Sequence, residues 1–536
     1  MAPTIVFGFG LLLSLHFQPP LQPCCMELNL LTIFEAEVEA VNDHFCTNIS
    51  SVSNLLQHQS LTEVERITKI INDNCFPDEP LHPTLLKHLS PGSLSTVFVE
   101  NVLGRLFAAH SNGLKALEFF RFSLHHSHFI PSSFAFEVTL HILTRMRYFE
   151  KAWEFMVEIG KTHPSLLTLK SMSIMLSKIA KFQSYEDTLE AFDRMEKEVF
   201  VGKTFGTEEF NVLLRAFCTQ REVKEARSVF QKMHDRFNPN AKTMNILLLG
   251  FKESGDVTAM ELFYHEILRR GFKPTTLTYN IRIDAYCKKG YFGDGLRIFE
   301  EMERINCLPT LEAITTLIHG AGVARNAIKA RQLFDEICRR NLQPDTGAYN
   351  ALISSLIKCR ELKSAMSLMD EMEEKHIGHD GVTYHTIFLG LLKQNDTEGV
   401  YELYHKMIGR KFVPKTQTMV MLMKFFCVNG QVDLGLDFWQ YLLEKGYCPH
   451  GHALDLLVTA LCSRGRLQEA FECSKQFLER GMRLSEVVYR MLERFLQQSD
   501  NTDKLREINE MIKKLQSVLP PSKGHAFAYS SSIAIA

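Results

Sequence analysis

Apolar residues along the chain recur at helical spacing. From Thr276 to Thr310, Tyr279, Ile283, Tyr286 and Cys287 fall at i, i+4, i+7 and i+8, and Leu296, Phe299 and Met302 follow at i, i+3 and i+6. Each set makes one stripe on a helix, so the segment predicts two amphipathic helices. Gly290 stands between them, where a residue that tolerates the left-handed conformation ends the first helix. The unit is a helical hairpin.

That unit repeats. Between Ser165 and Leu519 the prolines are Pro239, Pro274, Pro309, Pro344, Pro414 and Pro449, at intervals of 35, 35, 35, 70 and 35, and His379 occupies the skipped node. With proline placed at position 34 of a 35-residue frame, small residues recur at position 20 as Ala226, Gly295, Ala330, Ala365, Gly435 and Ala470. Met233, Met302, Met372 and Met407 recur at 27, Gly255, Gly290, Gly430 and Gly465 at 15, and Cys218, Cys287, Cys427 and Cys462 at 12. A small residue at 20 lets the second helix approach the first closely, and proline at 34 stops the second helix from running into the next unit. Eight units tile 207–240, 241–275, 276–310, 311–345, 346–380, 381–415, 416–450 and 451–485, the first one residue short and counted from Thr207. About three degenerate copies are expected over 97–206, after a helical pre-repeat region at 66–96. A partial capping repeat is expected at 486–514 and a disordered tail at 515–536. Units of this kind bury their apolar faces only by stacking, so the expected fold is one all-α solenoid instead of several globular domains.

Composition is that of a globular chain: 536 residues, 45% hydrophobic, with 29 Gly and 18 Pro, which excludes disordered and collagen-like classes. The 60 basic against 62 acidic residues argue at first against a phosphate-rich partner. Seven of the acids (Glu27, Glu35, Glu37, Glu39, Asp43, Glu63, Glu65) precede Arg66, the first basic residue, which leaves 60 basic and 55 acidic residues beyond them, or +5. Residues 4–17, TIVFGFGLLLSLHF, are too short to span a bilayer. They also lack the positive flank of a secretory signal, and the leader lacks the arginines of a transit peptide. Residues 1–65 therefore read as either a targeting segment or a mispredicted N-terminus. Thirteen cysteines without a CxxC pair are too few for a disulfide scaffold and suit free, buried packing in a reducing compartment.

The units TLTYNIRIDAYCKKG (276–290), TGAYNALISSLIKCRELKSAMSLMDEM (346–372) and GVTYHTIFLGLL (381–392) resemble pentatricopeptide repeat proteins. The likeness lies in the Tyr-Asn opening, the Cys-Lys before the glycine, and the acidic second helix ending in Met. It runs from near Val97 to about Lys514. A tetratricopeptide array would instead show a 34-residue period and its own signature. The resemblance, to the P-class plant organellar type, implies a right-handed superhelix that binds single-stranded RNA, one base per repeat, on its first helices. It implies a mitochondrial location, with chloroplast as the alternative, and a monomer with no membrane contact and no cofactor. It also implies that positions 5 and 35 select the base.

Carried over, Asn211 with Asn240 looks like a pyrimidine reader, and Asn245 with Thr275 and Asn280 with Thr310 look like weaker ones. Thr315 with Asp345 resembles the pair for G and Asn350 with Asp380 the pair for U. The implied core ligand is 5′-YYYGU-3′. His385 with Lys415, Val420 with His450 and Asp455 with Ser485 depart from the pattern, so those repeats either accept any base or brace the solenoid. Lys288, Lys358 and Lys393, at position 13, are candidates for phosphate contact or a solvated helix end.

Other chemistry is missing. Gly202-Lys203-Thr204 has Lys197 where a phosphate loop needs its first glycine, and Gly8-Phe9-Gly10 and Gly320-Ala321-Gly322 lack the third glycine of a dinucleotide fingerprint. Cys448-Pro449-His450-Gly451-His452 has no paired second half for zinc. His125, His126 and His128 suit a partly exposed surface as well as a ligand. The deaminase and nuclease modules that end some relatives do not fit the fifty or so residues after Ser485. The expectation is a non-enzymatic RNA adaptor that recruits RNA-processing or ribosomal proteins. The competing expectation is a protein scaffold, such as a ribosome-associated subunit, on the same solenoid.

Overall fold

The structure is a computed structural model that describes residues 54–89, 94–126, 128–499 and 501–518. Most of the acidic leader and residues 519–536 of the tail lie outside them. The chain divides into Met1–Gln59 and Ser60–Ala536. Of the first unit only 54–59 are described, at the start of a helix; the second is the array.

Every regular element among the described residues is helical. Two helices, Asn54–Asp73 and Leu81–His88, precede twelve hairpins. The first helices of these hairpins are Thr96–Ala108, Ser133–Arg145, Leu169–Phe182, Thr207–Thr219, Ala241–Ser254, Thr276–Lys288, Leu311–Val323, Thr346–Lys358, Gly381–Lys393, Thr416–Val428, Gly451–Ser463 and Glu486–Gln498. Three hairpins thus occupy the degenerate stretch. The last segment forms a complete hairpin with Thr502–Val518 instead of a partial unit, and this second helix takes in residues 515–518 of the expected tail. Its stripe explains the length: Leu505, Ile508, Ile512 and Leu515 are all buried.

Each first helix packs on the first helix of the next hairpin, whereas a second helix reaches the next hairpin chiefly through that hairpin's first helix. The continuous layer of first helices therefore lies on the inside of the curve. Complementary volumes hold it together. A Cβ built on Gly250 would lie 2.6 Å from Cys218 Sγ, and one on Gly320 would lie 2.7 Å from Cys287 Cβ. The position-12 cysteines are thus short knobs for position-10 glycines of the next repeat. At the following step the sizes invert, with Gly322 at 12 facing Ser355 at 10. Ala226, Ala330, Ala365 and Ala470 at position 20 are fully buried, and so are Met302, Met372 and Met407 at position 27.

The turn after the first helix keeps one backbone shape with or without glycine. Gly255, Gly290, Gly430 and Gly465 have positive φ, and so do Arg221, Arg325, Arg360 and Asn395 at the same position. A side chain there costs about 1 kcal/mol. Arg360, at φ 66° and exposed, is the clear case. Arg360→Gly is expected to raise stability by about 0.5 kcal/mol in chemical denaturation, the gain being cut by the freedom glycine adds to the unfolded chain. Lower stability would contradict this account of the turn.

At the skipped proline node, His379 is buried and its Nε2 lies 2.9 Å from the Met369 carbonyl, so it plugs the gap by a hydrogen bond.

Candidate nucleic-acid interface

Position 35 is the N-cap of the next first helix. Asn240, Thr275, Thr310, Asp345 and Asp380 each accept a hydrogen bond from the backbone N–H three residues on. They are polar because an uncapped helix start leaves N–H groups unpaired. The position-5 side chain of one repeat meets this cap. Asn350 Nδ2 donates to Asp380 Oδ1 at 3.0 Å, and Asn245 and Asn280 lie 3.4 and 3.5 Å from Thr275 and Thr310 Oγ1.

A third residue completes the arrangement. Thr383 Oγ1 donates to Asn350 Oδ1 at 2.7 Å, Thr278 to Asn245 at 2.8 Å and Thr243 to Asn211 at 2.7 Å. The threonine fixes which way each amide points. In Asn245 and Asn350 the oxygen is consumed inside the protein, and the nitrogen donates one hydrogen to the cap and keeps the other for an outside acceptor. This threonine, at position 3, recurs in register at 243, 278, 383 and 418, a signal legible in the sequence but absent from the expected site. Where position 3 is Ala313, Asn280 Oδ1 is buried without a partner, and its Nδ2 donates to Glu312 Oε2 at 3.0 Å. Asn211 shows the converse, with Nδ2 buried and unpaired.

Asn211, Asn245, Asn280 and Asn350 are all buried, three in successive first helices and the fourth one repeat beyond Thr315. Thr315 and Asp345 share no hydrogen bond; Asp345 is engaged by the Ala348 N–H at 2.8 Å. The non-standard repeats keep the geometry with other chemistry. His385 Nδ1 lies 3.0 Å from Thr418 Oγ1, and Ser485 donates to Asp455 at 2.6 Å. Lys415 makes no side-chain cap. His450 caps its own helix at the His452 N–H, and Cys448 is buried beside it. No cluster of metal-ligating side chains occurs among the described residues.

Position 13 is mixed. Lys288 pairs with Asp284 at 2.9 Å, and Asp284 also holds Lys252 at 2.7 Å. Burial raises the Asp284 pKa, but Lys252 and Lys288 outweigh it and hold the carboxyl below its ordinary value. Lys358 Nζ donates to His319 Nε2 at 3.2 Å. Lys393 is exposed.

Burial first, and the Lys358 ammonium second, push the His319 pKa down to about 4; burial, with Arg145 and His450 for His110 and with Lys178 and Arg145 for His141, pushes those two to about 3. The unfolded chain binds these protons near pH 6.5, so stability is present above that pH and is lost as pH falls toward 4. Unfolding monitored by circular dichroism should show about 2 kcal/mol lost per histidine by pH 5. His319→Gln should flatten that slope, and an unchanged slope would contradict the assignment.

The described helices include none long and apolar enough to cross a membrane. A model of the PPR repeat family matches residues 274–322 and 344–393, and a PPR repeat model matches 210–236, 313–342 and 382–412. The pentatricopeptide repeat-containing protein At3g61360 of Arabidopsis thaliana is 62% identical over 86% of this chain and 93% of its own. A second Arabidopsis thaliana relative, pentatricopeptide repeat-containing protein At5g15010, mitochondrial, is 27% identical over 90% of this chain and 84% of its own. Among solved structures, the pentatricopeptide repeat protein PPR10 in complex with an 18-nt psaJ RNA element is 17% identical, with a TM-score of 0.41, over 92% of this chain and 72% of that one.

Proposed function

Because this chain belongs to the pentatricopeptide repeat family, we propose that it is a non-catalytic adaptor that binds single-stranded RNA in sequence, one base per repeat, in organellar RNA metabolism. The observation that carries this reading is the row of amides at Asn245, Asn280 and Asn350, each seated between its own repeat and the cap of the next, with Asn211 held by Thr243 at the equivalent place. Amides held as Asn245 and Asn350 are keep one donor for an edge-on base, and a base edge rewards that geometry. A mitochondrial location is part of the proposal, supported by a relative that carries that word in its name.

A titration tests it. RNA containing 5′-YYYGU-3′ should bind at least tenfold more tightly than a scrambled oligonucleotide of equal length, and equal affinity would refute base reading. Thr315→Asn should move the preference at one base from G to U, because it replaces a hydroxyl by an amide opposite Asp345. Unchanged preference would refute the pairing of 315 with 345.

A further inference from the structure

The two ends of the array meet. Residues 306 to 436 positions apart in sequence are joined where the N-terminal helices and the first hairpin lie against the tenth to twelfth hairpins. The Cys448 N–H donates to the Ala109 carbonyl at 2.8 Å and the Phe76 N–H to the Glu479 carbonyl at 3.0 Å. Asn72 and Asn112 donate their amides to the Gly446 and Gly481 carbonyls at 2.6 and 2.7 Å. Arg105 donates to the Tyr447 hydroxyl at 2.8 Å while its guanidinium lies 4.8 Å from that ring. Arg480 pairs with Asp73, and Lys514 with Asp78.

The seam is built for contact. Lys115 is 1% exposed and donates to the carbonyls of Asn72 and Asn74 at 2.8 Å each, so a buried ammonium braces the loop that touches Gly446. A charge is tolerated in that position only when it is fully hydrogen-bonded. Gly481 admits the other strand: a Cβ there would lie 2.7 Å from Asn112 Nδ2 and 2.9 Å from Phe76 Cδ1. One apolar core runs across the seam, in which Phe76 and Leu81 share a cluster with Leu478, Ile512 and Leu515. None of these residues belongs to the repeat frame's base-reading positions.

A solenoid whose ends touch has its inner layer inside a closed circuit. From the juxtaposition of Asn72, Asp73, Arg105 and Asn112 with Gly446, Tyr447, Arg480 and Gly481, we infer that this protein takes RNA by a free end and does not close on internal segments. The inference rests on the RNA-binding reading, since it names the form of that ligand. A strand with a free terminus threads into the circuit while the seam stays shut; a strand without one has to wait for the seam to open. Opening breaks at least five hydrogen bonds and the shared core together, so it is rare.

The test compares two RNAs of one sequence, a linear oligonucleotide and a covalently closed circle several times longer than the footprint, using the full chain. The linear RNA should associate at least tenfold faster than the circle. Asp73→Arg should open the seam and bring the circle to the linear rate. Asp73→Arg with Arg480→Asp should restore the pair in reverse and restore discrimination. Arg105→Ala is the milder second opening variant should Asp73→Arg unfold. Equal association of circle and linear RNA with the unmodified chain overturns the inference. Failure of the linear RNA to bind overturns the RNA reading instead. The seam itself is read without RNA: small-angle scattering should show a larger radius of gyration for Asp73→Arg than for the parent and the double variant, and a parent whose scattering does not fit an array with its ends in contact overturns the closed circuit.

Discussion

Gly322→Val is expected to lower the unfolding free energy by about 3 kcal/mol, at the upper end of what inserted methyl groups cost in a packed core. A Cβ at Gly322 would lie 2.5 Å from both Cα and Cβ of Ser355. The obstacle is therefore partly backbone and cannot rotate away. Ser355 is also pinned, its hydroxyl donating to the carbonyls of Ile318 and Ala351 at 2.9 and 2.7 Å. Losing the helix cost of glycine returns only about 0.4 kcal/mol, because valine is itself a weak helix former. The damage falls between the seventh and eighth hairpins, and a stacked array couples only neighbours, so denaturation should split into two transitions. Ser355→Gly should restore part of the loss, because the Cα clash remains. A single transition at the parent midpoint would refute the packing argument.

Asn350→Ala should weaken binding of RNA with U at the matched position by about 10- to 30-fold, or roughly 1.4–2 kcal/mol. RNA with another base there should lose much less. Thr383→Val separates the two tasks of this site. It leaves the Asn350 amide in place and removes the donor that holds Oδ1 at 2.7 Å. The amide is then free to turn over, so discrimination between U and C should shrink while overall affinity falls by only about threefold. Fluorescence anisotropy with four RNAs differing at one base measures both. If Thr383→Val discriminates as the parent does, the threonine is a cap and nothing more.

The repeat frame was legible because each of its signals occurs many times. Prolines at 35-residue intervals mark the ends of second helices, and position-20 alanines mark the closest approach. Where the same backbone is reached by another residue, the signal thins: Arg221, Arg325, Arg360 and Asn395 adopt the left-handed turn that glycine announces elsewhere. Position 3 was legible in principle, as a threonine in register, but its meaning depends on a partner about thirty residues earlier that only folding brings near. The seam between the ends was not legible at all. Asn72 and Lys115 lie outside the regular repeats, and Tyr447 and Gly481, though in register, give no sign of their partners, whose pairing depends on the accumulated curvature of a dozen hairpins.

The N-cap at position 35 ties together two demands that are separate in most binding proteins. Thr275, Asp345 and Asp380 start a helix with the same oxygen that lies beside the reading position. On the proposed reading, an exchange at position 35 that alters what a repeat recognises also alters how firmly the next repeat begins, by about 1 kcal/mol per lost cap. The side chains that meet both demands here are those that cap helices: Asn240, Thr275, Thr310, Asp345, Asp380, Ser485 and His450. Lys415 stands outside that set and makes no side-chain cap, so at its repeat the two demands are uncoupled.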